Sequence, residues 1–255
     1  MAQYYERLTA TDLESALKIC LELREHDYWS FRGQRIASWH LGVHGIDRFN
    51  ELDNYLQQFK RRCMEFPPPQ HIEESDMWRW LFFAQHHRLK TRLLDWTKDP
   101  LVAIYFAVEN ILSRKDDESD FGAIWALHVN RQHFKNPEDL LRTPEDIREW
   151  VLINPPPFTI RLARQSGLFA YSPAESQLVP LDQMPRRGDE RLIKIEIVAK
   201  NSKNPTVSIR RQLGILNVHH ASLFPDPNGI AHFINQEWSI LGYDEHLGLK
   251  DRNLE

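Results

Sequence analysis

Two cysteines in 255 residues, Cys20 and Cys63, are too few for a disulfide framework. Each falls in a helical pattern, where a free thiol behaves as a small apolar group. No apolar run approaches the roughly 18 residues that cross a bilayer. The longest, Leu101 to Ala107, is bounded by Asp99 and Glu109. The segment Met1 to Arg7 lacks the charged-then-apolar layout of a signal peptide. The expected setting is a reducing cytoplasm, away from membranes. A basic excess is missing as well: 32 Lys and Arg stand against 36 Asp and Glu, a formal net charge of −4. A domain that grips nucleic acid through its phosphates shows a clear positive balance. Local basic patches (Arg32 with Arg35, Lys60-Arg61-Arg62, Arg161 with Arg164) read most simply as solvated faces.

What the chain does have is core material: 42% hydrophobic against 27% charged residues is a globular balance and excludes extensive disorder. Thr11 and Glu14 have the spacing of a capping box, followed by apolar residues at helical intervals from Leu13 to a stop near His26. Tyr28 to Phe31 reads as a short aromatic strand running into Arg32-Gly33. Helices are expected over Leu52 to Met64, from Ser75 onward, from Asp99-Pro100 to about Ser113, over Val207 to Leu216 and over Ile230 to Leu241. Phe121 to Val129 and Arg191 to Val198 are strand-like. No internal repeat and no Gly/Ser linker divides the chain. The expectation is therefore a single α+β domain over residues 1–255, with a mixed sheet and flanking helices.

Three segments carry chemistry. Phe31-Arg32-Gly33-Gln34 presents a guanidinium at a strand end beside glycine, where its planar fork can grip a phosphate or carboxylate. Gln85 to Thr97 mixes His86, Arg92 and Asp95 with the apolar anchors Leu93, Leu94 and Trp96. A carboxylate in such a run is costly unless partnered, so Asp95 is expected to orient an arginine and to meet Arg32 and Arg92 at one cleft. Arg161 to Phe169 places Gln165 shortly before a glycine, with Glu175 as the nearby carboxylate. Each segment taken alone is equally compatible with a surface turn, a structural ion pair or a helix cap.

Together they resemble the FRG-domain family. The resemblance runs through Phe31-Arg32-Gly33, Gln85-His86 leading into Thr91-Arg92-Leu93-Leu94-Asp95-Trp96-Thr97, and Ala103-Ile104-Tyr105-Phe106-Ala107. It continues through Arg161 to Phe169, Gly214-Ile215 and Phe224-Pro225-Asp226, spanning residues 28–235. The chain departs from the family pattern at Arg88 and Lys90, where Gly and Pro are usual, which bears on the geometry of that turn. The layout is also similar to ADP-ribosyltransferase-type folds. That likeness implies NAD as the substrate, held by Arg32, Gly33, Gln34 and Arg92, with Trp96 or Tyr105 as the wall for nicotinamide. It also implies that Gln165 or Glu175 acts on the ribose, with His86 and Asp95 completing the catalytic set. The enzyme so implied is a transferase or NAD glycohydrolase, of the kind used as a toxin or defence effector. The alternative is a nonenzymatic module that binds a nucleotide, nucleic acid or protein. A metal-dependent hydrolase built on His86, His87, His219 and His220 is disfavoured, because adjacent histidines on a strand point oppositely and no HExxH or cysteine pair is present.

Overall fold

The computed structural model describes residues 4–26, 28–42, 51–63, 72–109, 121–136, 139–140, 143–156, 159–173, 179–200, 205–238 and 241. In chain order the strands are β1 (Glu6–Ala10), β2 (Trp29–Gln34), β3 (Leu93–Thr97), β4 (Ala123–His128), β5 (Phe134–Lys135), β6 (Val151–Ile153), β7 (Gly167–Tyr171) and β8 (Arg191–Ile197). The α-helices are α1 (Leu13–His26), α2 (Glu51–Cys63), α3 (Met77–His86), α4 (Pro100–Ala107), α5 (Ile160–Arg164), α6 (Thr206–Ile215), α7 (His220–Leu223) and α8 (Pro227–Gln236). The fold is α+β, as the interleaved patterns suggest. The strands form one mixed sheet in the order β1-β8-β4-β2-β3-β7-β6-β5. The pairs β1–β8 and β5–β6 are parallel and the others antiparallel.

Alternation along the strands divides the apolar residues between the two faces. On one face α1, α4, α6 and α7 cover Trp29, Phe31, Ile124, Ala126, Ile193 and Ile195. On the same face α2 and α3 cover Leu93, Phe169, Tyr171, Val151 and Ile153. The other face, carrying Leu94, Trp96, Trp125, Leu127 and Leu168, is closed mainly by segments outside the α-helices, bearing Leu41, Trp150 and Leu181. The helical face therefore holds two separate clusters, and Asp95 and Thr97 lie between them.

Most expected elements are present with shifted ends. The α1 cap is corrected by one residue: Asp12, not Thr11, accepts from the Ser15 amide at 2.9 Å, and Ser15 Oγ answers at the Asp12 amide at 3.2 Å. The Ser15 backbone amide and then the Ser15 hydroxyl, both donating to Asp12 Oδ1, hold the Asp12 carboxyl down at about 2. Asp99 caps α4 through Leu101 N–H at 2.8 Å, with Pro100 in the first helical position. Helix α4 lies unusually close to the sheet. A Cβ on Gly33 would meet the Ala103 carbonyl oxygen at 2.0 Å, and one on Gly122 would meet the Ala107 carbonyl oxygen at 1.8 Å. Glycine at position 33 is thus required by backbone contact with a helix 70 residues downstream, whatever its neighbour Arg32 does.

Candidate functional site

Strand β2 pairs with β4 along its whole length, from Trp29↔His128 to Gln34↔Ala123. With β3 it makes a single bridge, Phe31↔Thr97, while β3 goes on to pair fully with β7. Beyond Phe31 the two strands diverge, and a cleft of about 260 Å³ opens at the split. Its floor and sides include Arg32, Asp95, Trp96 and Thr97, and α4 contributes Val102, Phe106 and the following Glu109. Arg161 and Gln165 close it from the α5 side, Arg35 and Trp39 from the segment after β2. A smaller lobe continues beside Gln85, His86 and Thr159, sharing Asp95, Trp96, Arg161 and Gln165 with the main cleft.

Arg32 is the centre of this arrangement. Its Nη1 donates to the Asp95 backbone carbonyl at 2.6 Å. Its Nε is buried without a hydrogen-bond partner. Burial holds its guanidinium below the usual arginine value, and only the Asp95 charge opposes that. No described carboxylate forms an ion pair with it. Arg161 is similarly lowered, by burial first, and its guanidinium stacks over the Phe224 ring at 4.3 Å. Two half-buried cations therefore face one cleft, beside the Asp95 and Glu109 carboxylates, and the guanidiniums can receive an anionic group.

The Asp95 carboxylate points into the helical face between the two clusters and accepts from Gln85 Nε2 at 3.2 and 3.1 Å. Gln85 is fixed in turn by Thr91 Oγ1, which donates to its Oε1 at 2.6 Å. The carboxylate is thus set by an amide and not, as expected, by an arginine. Arg92 is absent from the cleft. Its buried guanidinium reaches α2, with Nε and Nη2 donating to Asp53 at 3.3 and 3.0 Å. Tyr105 also turns away, because on α4 it faces the interior. Its hydroxyl donates to Glu237 Oε1 at 2.9 Å and lies 3.0 Å from His220 Nδ1, and the Arg210 guanidinium covers its ring at 4.0 Å. Its neighbour Phe106, and not Tyr105, lines the cleft.

Trp96 lines the cleft but is 3% exposed and packs in the second cluster, so it is foremost a core residue. Gln34 is buried and pins the segment after β2, donating to the carbonyls of Ile36 at 3.1 Å and Trp39 at 2.7 Å. Gln165 spans the cleft edge: its carbonyl accepts from Thr97 Oγ1 at 2.6 Å and its Nε2 donates to the Leu223 carbonyl at 3.3 Å. His86 lies in the smaller lobe, its imidazole pushed down by burial and then by the Arg161 charge. Glu175 lies outside the described residues.

Sequence reasoning missed Trp39, Phe106, Glu109 and Gln85 as cleft or supporting residues. Phe106 could have been found from α4 itself, since Val102, Phe106 and Glu109 fall at helical spacing on one face. Burial raises the Glu109 carboxyl, Arg210 opposes this, and Glu237 adds to it. Behind Glu109, among the described residues, His220, His232 and Glu237 bring possible metal-ligating atoms within 4.8 Å of one another. The Glu237 oxygens there already accept from Tyr105, Arg210 and the His220 amide, so the group is read as a polar network, buried at His220 and Glu237 and open to solvent at His232. His86, His87 and His219 are not part of it.

The family model described as FRG domain matches residues 27–118. The matched stretch includes Arg32, Asp95, Trp96, Phe106 and Glu109, whereas Arg161 and Gln165 come from beyond it. No curated protein and no solved structure gives a significant match. Among the described residues no helix is long and apolar enough to cross a membrane.

Proposed function

From the premise that residues 27–118 match the FRG-domain model, we propose that the cleft at the β2–β3 split takes NAD and breaks its bond to nicotinamide, passing ADP-ribose to an acceptor or to water. The observation that carries this reading is Arg32: a half-buried guanidinium at the cleft with an Nε–H that no described group accepts and no described carboxylate paired to it. A diphosphate supplies the missing charge and acceptors. Arg161 serves the same anion from the opposite wall. Phe106 and the partly exposed Trp39 offer π-faces for the two heterocycles. Gln165, held at both its carbonyl and its amide, stands where a ribose hydroxyl can be hydrogen-bonded. Consumption of NAD in this way would suit a toxin or defence effector, with a protein or nucleic-acid acceptor.

The test is to incubate the purified protein with NAD, alone and with cell lysate, and to measure free nicotinamide beside the shift in melting temperature. Nicotinamide release in either condition supports the enzyme. A thermal shift without release makes the cleft a nucleotide-binding module. No release and no shift removes NAD as its ligand.

A further inference from the structure

We propose that Glu109 is the catalytic base of the cleft, the group that takes the proton from the attacking water or acceptor hydroxyl; this rests on the reading that the cleft holds NAD. The sequence offered Gln165 and Glu175 for a late polar group, and a carboxamide such as Gln165 cannot accept a proton. Asp95 is a carboxylate of the cleft, yet both its oxygens are engaged by Gln85. Glu109 lines the same cleft and accepts no hydrogen bond from any described residue. It follows α4 and lines the cleft together with Val102 and Phe106 from that helix.

The groups around it suit a proton acceptor. Glu109 Oε1 lies 3.8 Å from His220 Nδ1, at the junction of the cleft with the buried network. The charged and titratable groups facing it are Tyr105 from the preceding helix α4, Arg161 from α5, Arg210 from α6, His220 from α7, His232 and Glu237 from and after α8, and Arg35 from the segment after β2. Burial and Glu237 push its carboxyl up, while Arg210, His232 and Arg35 push it down. A carboxylate made more basic by burial is a better acceptor near neutral pH than an exposed one.

Atoms and charge balance in a single displacement. The hydroxyl oxygen forms a bond to C1′ of the nicotinamide ribose. The C1′–N bond breaks, its electron pair neutralises the pyridinium, and neutral nicotinamide leaves. The hydroxyl proton passes to Glu109, from which it is released to solvent.

The experiment compares wild type with Glu109→Gln and Glu109→Asp in nicotinamide release, NAD-induced thermal shift, and rate against pH. Glu109→Gln is expected to lower turnover about 10²- to 10⁴-fold with the NAD-induced shift retained, and to remove the fall in rate on the acid side. Glu109→Asp is expected to keep part of the rate. Melting without NAD establishes that each variant is folded; should Glu109→Gln not fold, the wild-type acid limb and the Asp variant decide. Turnover by Glu109→Gln within a few-fold of wild type, or a wild-type rate flat through the acid range, overturns the assignment and leaves the NAD reading standing. A wild type that neither binds nor cleaves NAD overturns both.

Discussion

Arg32 donates to the backbone carbonyl of Asp95 at 2.6 Å although the two lie 63 residues apart and their strands have already parted. The guanidinium takes one of the polar groups left over where the β2–β3 ladder ends. It thereby stays at the split with its Nε–H unspent. Replacing Arg32 by Ala removes this fork without opening a core cavity, because the side chain stands at the cleft. The expected result is near-normal melting and a 10- to 100-fold or so weaker NAD affinity, the equivalent of about 1.5–3 kcal/mol for a charge-assisted bond. Arg32→Lys should recover little of it, since a point charge cannot reproduce the planar fork. Calorimetric titration of both variants with NAD decides this, and unchanged affinity would place the anion site elsewhere.

Trp96 is expected to behave as an anchor. It is 3% exposed, pairs in register with Leu168, and packs with Leu94, Trp125 and Leu168 beneath the cleft floor. Trp96→Ala should cost about 3–5 kcal/mol in denaturant unfolding. Loss of only a few tenths of that would show the indole to be a replaceable ligand wall.

The patterned elements were legible because their periodicity is local. Helices α1, α2 and α4 and strands β2, β4 and β8 announce themselves through caps, proline positions and alternation. Strand β3 did not, because Leu93-Leu94-Asp95-Trp96-Thr97 reads as an apolar run holding one awkward carboxylate. Its alternation makes sense only once Asp95 is seen to fall between two helical clusters on one face. The cleft was half legible. Arg32, Asp95, Trp96 and Gln165 do meet, but Arg92 and Tyr105 do not. A sequence shows that an arginine needs an acid, not that Asp53 on α2 supplies it. Helical phase could have told Phe106 from Tyr105; the burial of α4 on nearly every side hid it.

The departure at position 88 is also testable. Arg88 follows α3 with φ of 64°, the left-handed conformation that favours glycine, and the Leu89 amide folds back to the Ala84 carbonyl at 3.0 Å. The left-handed conformation is therefore adopted here by an arginine, at some cost in strain. Arg88→Gly should raise stability by about 0.5–1 kcal/mol, seen as a higher denaturation midpoint with an unchanged slope. A lower midpoint would mean that the Arg88 side chain contributes more than its backbone loses.

The buried network behind the cleft predicts a dependence of stability on pH. His220 is pushed down to about 4, mainly by burial and next by the neighbouring His232, from an ordinary value of 6.5. Its ring stacks on Phe224 at 4.2 Å and lies tilted against His232 at 3.9 Å, and its Nδ1 meets the Tyr105 hydroxyl. Between these two values the unfolded chain binds a proton that the folded chain refuses. The His220 contribution is therefore fully present above about pH 6.5 and is lost as pH falls toward 4. The loss amounts to at most roughly 3 kcal/mol by linkage. Glu109 acts in the opposite sense, since its raised carboxyl takes up a proton more readily in the folded state, so the wild-type slope alone would mix the two. Unfolding by denaturant at several pH values from 7 to 4.5, for wild type and for His220→Gln, separates them by difference. The variant should lose most of the stability gap to wild type as pH falls, because it has no imidazole to protonate. A gap that stays constant across that range would show that His220 keeps its ordinary value and is reached by water.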